Sequence, residues 1–280
     1  MSATTTAPST VPMMETSSLR AAWRVFWYGG RMSYGMLFNW ARPSIYIPTL
    51  IGGPTFQLLF FAALGSYASG KSPAYFAIGN AVQVSAVAGI FGMTMAIANE
   101  RWFGTLPALL ATPANRVALF AGRFLPFLAN GLFVSVYAFG VGILLLGVRL
   151  DPSTIGVVAL ALVVTVFSCT AMGALQGSVS LRLRDGLLGA NLLVMGFLLF
   201  CGVNIPLEAL PGWMQFVGNL LPFTHGLEAV RQAAEGAGLD QVGGLILTEL
   251  LIGVIYALLA FFLFRFLEQS ARRNATLDVR

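Results

Sequence analysis

At 280 residues, the chain is 57% hydrophobic and only 10% charged, against roughly 25% charged residues in a soluble domain. Mean hydropathy is +0.80, and several apolar runs exceed the about 18 residues that mark a membrane-crossing helix. A water-soluble globular domain is excluded; the net charge of +5 comes from basic residues scattered between apolar runs, which points to membrane topology rather than to nucleic-acid binding.

Met1 to Ser18 is rich in Thr, Ser and Pro. It lacks the basic stretch and apolar core of a signal peptide, so residues 1–16 are expected to be a disordered cytoplasmic tail. Residues 17–42 read as an amphipathic interfacial helix. Trp23, Phe26, Trp27, Tyr34 and Leu37 share roughly one third of its circumference at about 100° per residue, with Arg20, Arg24 and Arg31 as a stripe beside them. Aromatic bodies sinking beside wet guanidiniums suit the headgroup layer.

Six spans are expected near 45–68, 75–98, 115–147, 153–180, 186–205 and 242–265. They build an all-α, polytopic transmembrane domain over 43–266, followed by a cytoplasmic tail over 267–280. The third and fourth are long enough to tilt or project. Between the fifth and sixth, residues 206–241 carry Pro206, Pro211 and Pro222. That stretch is too broken for a span and too apolar for a free loop, and reads as external re-entrant helices.

Six spans place both termini on one side. That side receives Arg20, Arg24, Arg31, Arg42, Arg101, Arg116, Arg123, Arg182, Arg184, Arg265, Arg272, Arg273 and Arg280, and the other only Lys71, Arg149 and Arg231. Thirteen basic residues against three predict cytoplasmic termini in a cell-membrane protein.

Gly65 to Ser72 matches the phosphate-loop pattern G-x-x-x-x-G-K-[ST] letter for letter. That pattern needs a strand before it and a soluble helix after it. Here it joins two apolar spans, Pro73 follows at once, and no magnesium-binding partner is evident. It reads as an external turn with Lys71 at the headgroups. Cys169 and Cys201 sit inside apolar runs as small packing residues, and with the sole histidine, His225, they form no metal spacing.

Two segments carry a function. The first, over 99–114, joins the second and third spans on the cytoplasmic side. In it Trp102, Leu106, Leu109 and Leu110 make an apolar stripe at helical spacing among Glu100, Arg101 and Arg116. Gly104 allows a tight bend, and Pro107 sets the helix start near Thr105. A cytoplasmic loop of this kind is built to dock. The second is Leu221 to Arg231, with Pro222, Thr224, His225, Glu228 and Arg231. Thr224 is placed to cap a helix, and Arg231 can pair with Glu228 or Glu235 along it. His225 reads as structural rather than as a proton sensor.

Glu-Arg-x-x-Gly-Thr-Leu followed by Leu-Leu-Ala-Thr-Pro, and Pro-x-Thr-His-x-x-Glu-x-x-Arg before the last span, resemble the corresponding motifs of ABC transporter type-2 permeases. The order of elements after residue 17 is similar too. Pro107 stands where many members carry an acidic residue, which removes a salt bridge there and leaves the docking helix. The resemblance implies a half-transporter that pairs with a second permease subunit, identical or related, and with two cytosolic ATPase subunits. ATP and Mg would be bound by those partners and no cofactor by this chain, which lacks a credible ATPase site. It also implies coupling through Glu100, Arg101, Trp102, Gly104, Thr105, Leu106, Leu109 and Leu110. A smaller contact would come from Arg182, Arg184 and Asp185, and an outer gate from Pro222, Thr224, His225, Glu228 and Arg231. The Glu-Arg-x-x-Gly-Thr-Leu form is most similar to the drug and antibiotic exporter branch.

The spans are rich in Phe56, Phe60, Phe61, Phe91, Phe197 and Phe200 and show no basic lining. A hydrophobic, amphipathic or lipid-like cargo follows, with Phe60, Asn80, Gln83, Phe91, Asn191, Phe197 and Phe200 as candidate pathway residues. Asn204 is a further polar residue near a span. Glu249 is expected to pair with a neighbouring span or to reach the headgroups. Gly173 and Gly177 form a G-x-x-x-G step with no assigned partner. A lipid-linked glycan exporter is the nearest alternative. A proton-coupled secondary transporter would need more buried ionisable residues than Glu249, and a membrane enzyme finds no catalytic cluster.

Overall fold

The computed structural model describes residues 23–31, 43–102, 116–181 and 186–274. At 43–47, 49–50, 69, 99–102, 116–121, 268 and 270–274 the description is of the backbone alone. A short helix over 23–31 (α1) precedes α2 (Pro43–Ser69), α3 (Pro73–Trp102), α4 (Arg116–Leu146), α5 (Ile155–Ser180) and α6 (Gly186–Phe200). A single 3-10 turn (Leu207–Ala209) leads into α7 (Gly212–Leu220), α8 (Thr224–Ala234) and the long α9 (Leu239–Asn274). Every described element is helical, as a chain with a bilayer for solvent requires, because a helix satisfies its own backbone polar groups.

Among the described residues, four helices are long and apolar enough to cross a membrane: Pro73–Ala98, Gly122–Leu146, Ile155–Ser180 and Leu239–Leu267. α3 and α5 form the buried pair at the centre, and α9 turns most of its apolar surface outward. The α3–α5 seam explains the G-x-x-x-G step. A Cβ at Gly173 would meet the Ile90 carbonyl oxygen at 2.6 Å, and one at Gly177 would meet Ile97 at 3.0 Å. Thr94 Oγ1 donates to the Gly173 carbonyl at 3.0 Å. The two glycines therefore bring two helices of one chain into backbone contact.

α6 departs from the expected span over 186–205. It has 15 residues, about 22 Å at 1.5 Å per residue, less than the roughly 30 Å hydrocarbon core. The helix stops at Phe200, and Gly202 takes a φ of 78°, a conformation open to glycine at little cost. The carbonyls of Gly202 and Val203 accept hydrogen bonds from Arg231, so this backbone is satisfied by a side chain rather than by another helical turn.

α1 lies against the start of α4. A Cβ at Gly30 would meet the Gly122 carbonyl oxygen at 2.9 Å, and one at Gly122 would meet the Phe26 carbonyl oxygen at 2.5 Å. Trp23 and Trp27 stay exposed, with Trp23 stacked on Phe26 at 5.4 Å. Of the residues expected to share this face, Arg20, Tyr34 and Leu37 lie outside the described residues, as does the tail over 1–16.

The phosphate-loop lookalike has no cradle. Gly65 to Ser69 are the last residues of α2, and the Gly70 amide closes that helix by donating to the Ser66 carbonyl at 3.1 Å. The amides that would hold phosphates are engaged in a helix, and Lys71 Nζ sits 4.2 Å from the centre of the Tyr75 ring.

Candidate functional site

The helix ends sort into two faces. On one face lie the α2–α3 turn, the α4–α5 turn, the break after α6, and helices α7 and α8. On the other lie the ends of α3 and α5 and the starts of α4 and α6.

On the first face, α8 is held from both ends by side chains that belong to other helices or reach other segments. At its start, Phe223 has a φ of 109°, a strained value for a bulky residue. Glu249 of α9, fully buried, resolves that corner. Its Oε1 accepts from the Phe223 amide at 2.7 Å and from the Ser168 hydroxyl of α5, and its Oε2 accepts from the Gly226 amide at 3.1 Å. A carboxylate at a helix N-terminus answers the unpaired amides and the helix dipole together. Glu249 thus ties α5, α8 and α9 to one point. It meets backbone amides of the segment before the last span, and does not reach the headgroups.

Thr224 was expected to cap this helix. Its hydroxyl instead donates to the Gly218 carbonyl at 2.6 Å, tying α8 back to α7, because the Glu249 carboxylate already occupies the capping position. Arg231, near the end of α8, was expected to pair with Glu228 or Glu235. It is 8% exposed and turns inward. Nη1 donates to the Gly202 carbonyl and Nη2 to the Val203 carbonyl, each at 2.8 Å. The guanidinium also stacks 3.9 Å from the Tyr75 ring centre. Gly79 makes room, since a Cβ there would meet Nη2 at 2.7 Å. The fork geometry of arginine suits two adjacent carbonyls. Glu228 is exposed and accepts from Gln232 at 2.9 Å, Pro222 is buried, and the His225 Nε2 lies 3.3 Å from the Asn219 carbonyl oxygen.

A polar chain continues from the break into the helices. Asn80 Nδ2 donates to Asn204 Oδ1 at 2.9 Å. Gln57 of α2 donates to Asn80 Oδ1 at 3.3 Å and to Gln83 Oε1. Thr55 Oγ1 and the Tyr137 hydroxyl share a hydrogen bond of 2.7 Å. Amide pairs between apolar helices lock them together.

The candidate pathway residues separate accordingly. Asn80, Gln83 and Phe197 are buried, with Phe197 packed on Phe223 at 5.6 Å. Phe91 lies at the edge of the main core, and Phe200 meets Trp213 at 6.0 Å. Phe60 is 60% exposed on the outer surface of α2. Asn191 is exposed and donates to the Leu187 carbonyl of its own helix. No single cavity brings all seven together among the described residues. Gln57, Tyr75 and Ser168 were missed by sequence reasoning; polar spacing alone does not say which helix faces they meet.

On the second face, α3, α5 and α6 converge. A Cβ at Gly186 would meet Ser180 at 2.9 Å and Ala98 at 3.3 Å. The end of α5 and the start of α6 therefore pack against the last turns of α3. Glu100, Arg101 and Trp102 are the closing residues of α3, described through their backbone. Gly104, Thr105, Leu106, Leu109, Leu110, Arg182, Arg184 and Asp185 lie outside the described residues.

Described elements that are all helical, several of them long and apolar enough to cross a membrane, define a polytopic membrane protein. Residues 32–234 match the profile described as ABC-2 type transporter, and the chain belongs to that family. It is similar to the probable multidrug ABC transporter permease YbhR of Escherichia coli (strain K12), 24% identical over 68% of this chain and 52% of that protein. It is also similar to the daunorubicin resistance ABC transporter permease protein DrrB1 of Streptomyces coeruleorubidus, 32% identical over 44% of each chain. The matches span about half the length of these relatives. Both relatives are described as permeases of drug-related ABC transporters.

Proposed function

We propose that this chain is the membrane subunit of an exporter that moves a hydrophobic or amphipathic molecule out of the cytoplasm or inner leaflet. ATP hydrolysed on two separate cytosolic subunits drives it. The observation that carries the reading is the meeting of Ala98, Ser180 and Gly186. It supports a reading in which the segments that follow α3 and α5 are gripped by a single partner. The printed descriptions of the relatives, multidrug and daunorubicin resistance permeases, support an amphipathic, drug-like cargo.

In this reading α2, and α6 together with the broken segment after Phe200, complete six crossings, both termini are cytoplasmic, and α7 and α8 form a re-entrant outer gate. A second copy or a close relative covers part of the exposed apolar surface of α2 and α9, where Phe56, Phe60, Leu251 and Phe262 stand out. Closure of the ATPase pair moves the gripped ends of α3, α5 and α6. The α3–α5 seam transmits that motion, and Glu249 carries it from α5 and α9 into α8. ATP must favour one arrangement by several kcal/mol to shift such an equilibrium substantially.

Reconstitution with the partner ATPase tests this. Amphipathic drugs such as daunorubicin should raise ATP hydrolysis and accumulate in inside-out vesicles when ATP is supplied. Leu109→Asp and Glu100→Arg should each reduce accumulation at least tenfold while the protein still folds. Undiminished transport in both variants, or transport driven by a proton gradient without any ATPase, would refute the proposal.

A further inference from the structure

The turn over 70–72, the turn over 147–150 and the end of α8 enclose a cavity of about 390 Å³. Its wall includes Lys71, Arg149 and Arg231, drawn from three distant parts of the chain. These are the three basic residues that charge sorting assigns to this side of the membrane, and all three meet in one place. Glu235 is the one carboxylate among the lining residues, so the wall keeps an excess of positive charge.

Two of the three cations flank a single ring. Lys71 Nζ lies 4.2 Å and the Arg231 guanidinium 3.9 Å from the centre of Tyr75. The two charges are therefore no more than about 8 Å apart, the sum of those distances. Like charges held this close repel unless an anion lies between or beside them. Arg231 is anchored by its terminal nitrogens, yet its buried Nε has no hydrogen-bond partner. Lys71 and Arg149 are exposed at the cavity's edge, where they can close on a ligand.

The cavity's depth selects the ligand. It opens where α2 and α4 end and α3 and α5 begin, which the expected six-span topology puts at the level of the outer headgroups. Ile78 and Val148 give it an apolar floor. We propose that this cavity binds the phosphate of an anionic phospholipid headgroup, with Arg231 as the fixed cation and Lys71 and Arg149 as the mobile ones. Charge-assisted hydrogen bonds to phosphate oxygens would offset the repulsion among the three. The bound lipid would sit against α8.

The full chain in neutral detergent tests this by native mass spectrometry and thermal unfolding, titrated with phosphatidylglycerol, phosphatidylcholine or inorganic phosphate. One phosphatidylglycerol should be retained and raise the unfolding midpoint. Lys71→Gln with Arg149→Gln, both at exposed positions, should weaken that retention at least tenfold. Arg272→Gln with Arg273→Gln, equal in charge loss, should leave it unchanged. Inorganic phosphate should not compete at millimolar concentration. If inorganic phosphate alone gives the same variant-sensitive shift, the lipid assignment is overturned in favour of a free anion. If Lys71→Gln with Arg149→Gln binds phosphatidylglycerol as tightly as the parent, or both double variants lose it equally, the site itself is refuted.

Discussion

The two ends of this helical bundle are built by opposite means. At the end that carries α8, charged side chains reach backbone groups far away in sequence, Glu249 to Phe223 and Gly226 and Arg231 to Gly202 and Val203, and the Asn80 amide reaches the Asn204 side chain. At the other end, packing relies on small contacts and a compact cluster of Met93, Ile97, Phe127, Ala174, Ala260 and Phe264. A buried polar anchor is costly to break, because each orphaned group loses its partner inside a medium without water. Packing built mainly on small residues, with the Thr94 to Gly173 hydrogen bond beside it, leans less on such anchors among the described residues and can slide. The anchored end thus suits a gate that moves as one body, and the other end suits a surface that a partner displaces.

Substitutions should separate the ends. Glu249→Leu has the largest expected effect. It orphans the Phe223 and Gly226 amides, each worth about 1–3 kcal/mol when buried and unpaired, while the Ser168 hydroxyl can turn to the Thr165 carbonyl. Unfolding in detergent should show a loss of at least about 2 kcal/mol, and Glu249→Gln, which keeps an acceptor, a smaller one. Gly173→Leu drives a side chain into the Ile90 backbone and should lower stability by up to about 3 kcal/mol, by overpacking, together with transport. Arg231→Lys keeps the charge but cannot fork to two carbonyls. A loss of about 1–2 kcal/mol is expected in the same assay. Glu228→Gln, on the exposed side of α8, should stay within about 0.5 kcal/mol. A Glu249→Leu protein as stable as the parent would mean that the anchored end is not anchored.

Much of this fold is legible in the chain because crossing a bilayer demands length and apolarity, both local properties. The expected spans near 75–98 and 153–180 and the helices Pro73–Ala98 and Ile155–Ser180 differ by a few residues. The phosphate-loop lookalike is also readable, since its flanking runs are helical. The shortened α6 is not. Its end depends on Arg231, 29 residues beyond Gly202, and nothing in the apolar run up to Phe200 marks it. Glu249 does pair with a neighbouring span, through Ser168 of α5, but its two backbone partners in the segment before the last span, and the displaced cap of Thr224, are hidden for the same reason. Which donor fills a helix N-terminus depends on what folding brings near, and a carboxylate 26 residues downstream of Phe223 leaves no local trace. The candidate pathway residues are the least legible. Phe60 and Phe197 have the same chemistry, yet one faces outward and the other is buried.

Sidedness is the claim on which gate and handle both depend, and cysteine labelling tests it directly. Cys169 and Cys201 are buried, which keeps the background low. In sealed right-side-out vesicles, a membrane-impermeant maleimide should label Lys71→Cys and spare Arg101→Cys, and in inverted vesicles the pattern should reverse. Labelling of Arg101→Cys from the outer face would contradict the account, because no cytosolic ATPase could then grip that end of the chain.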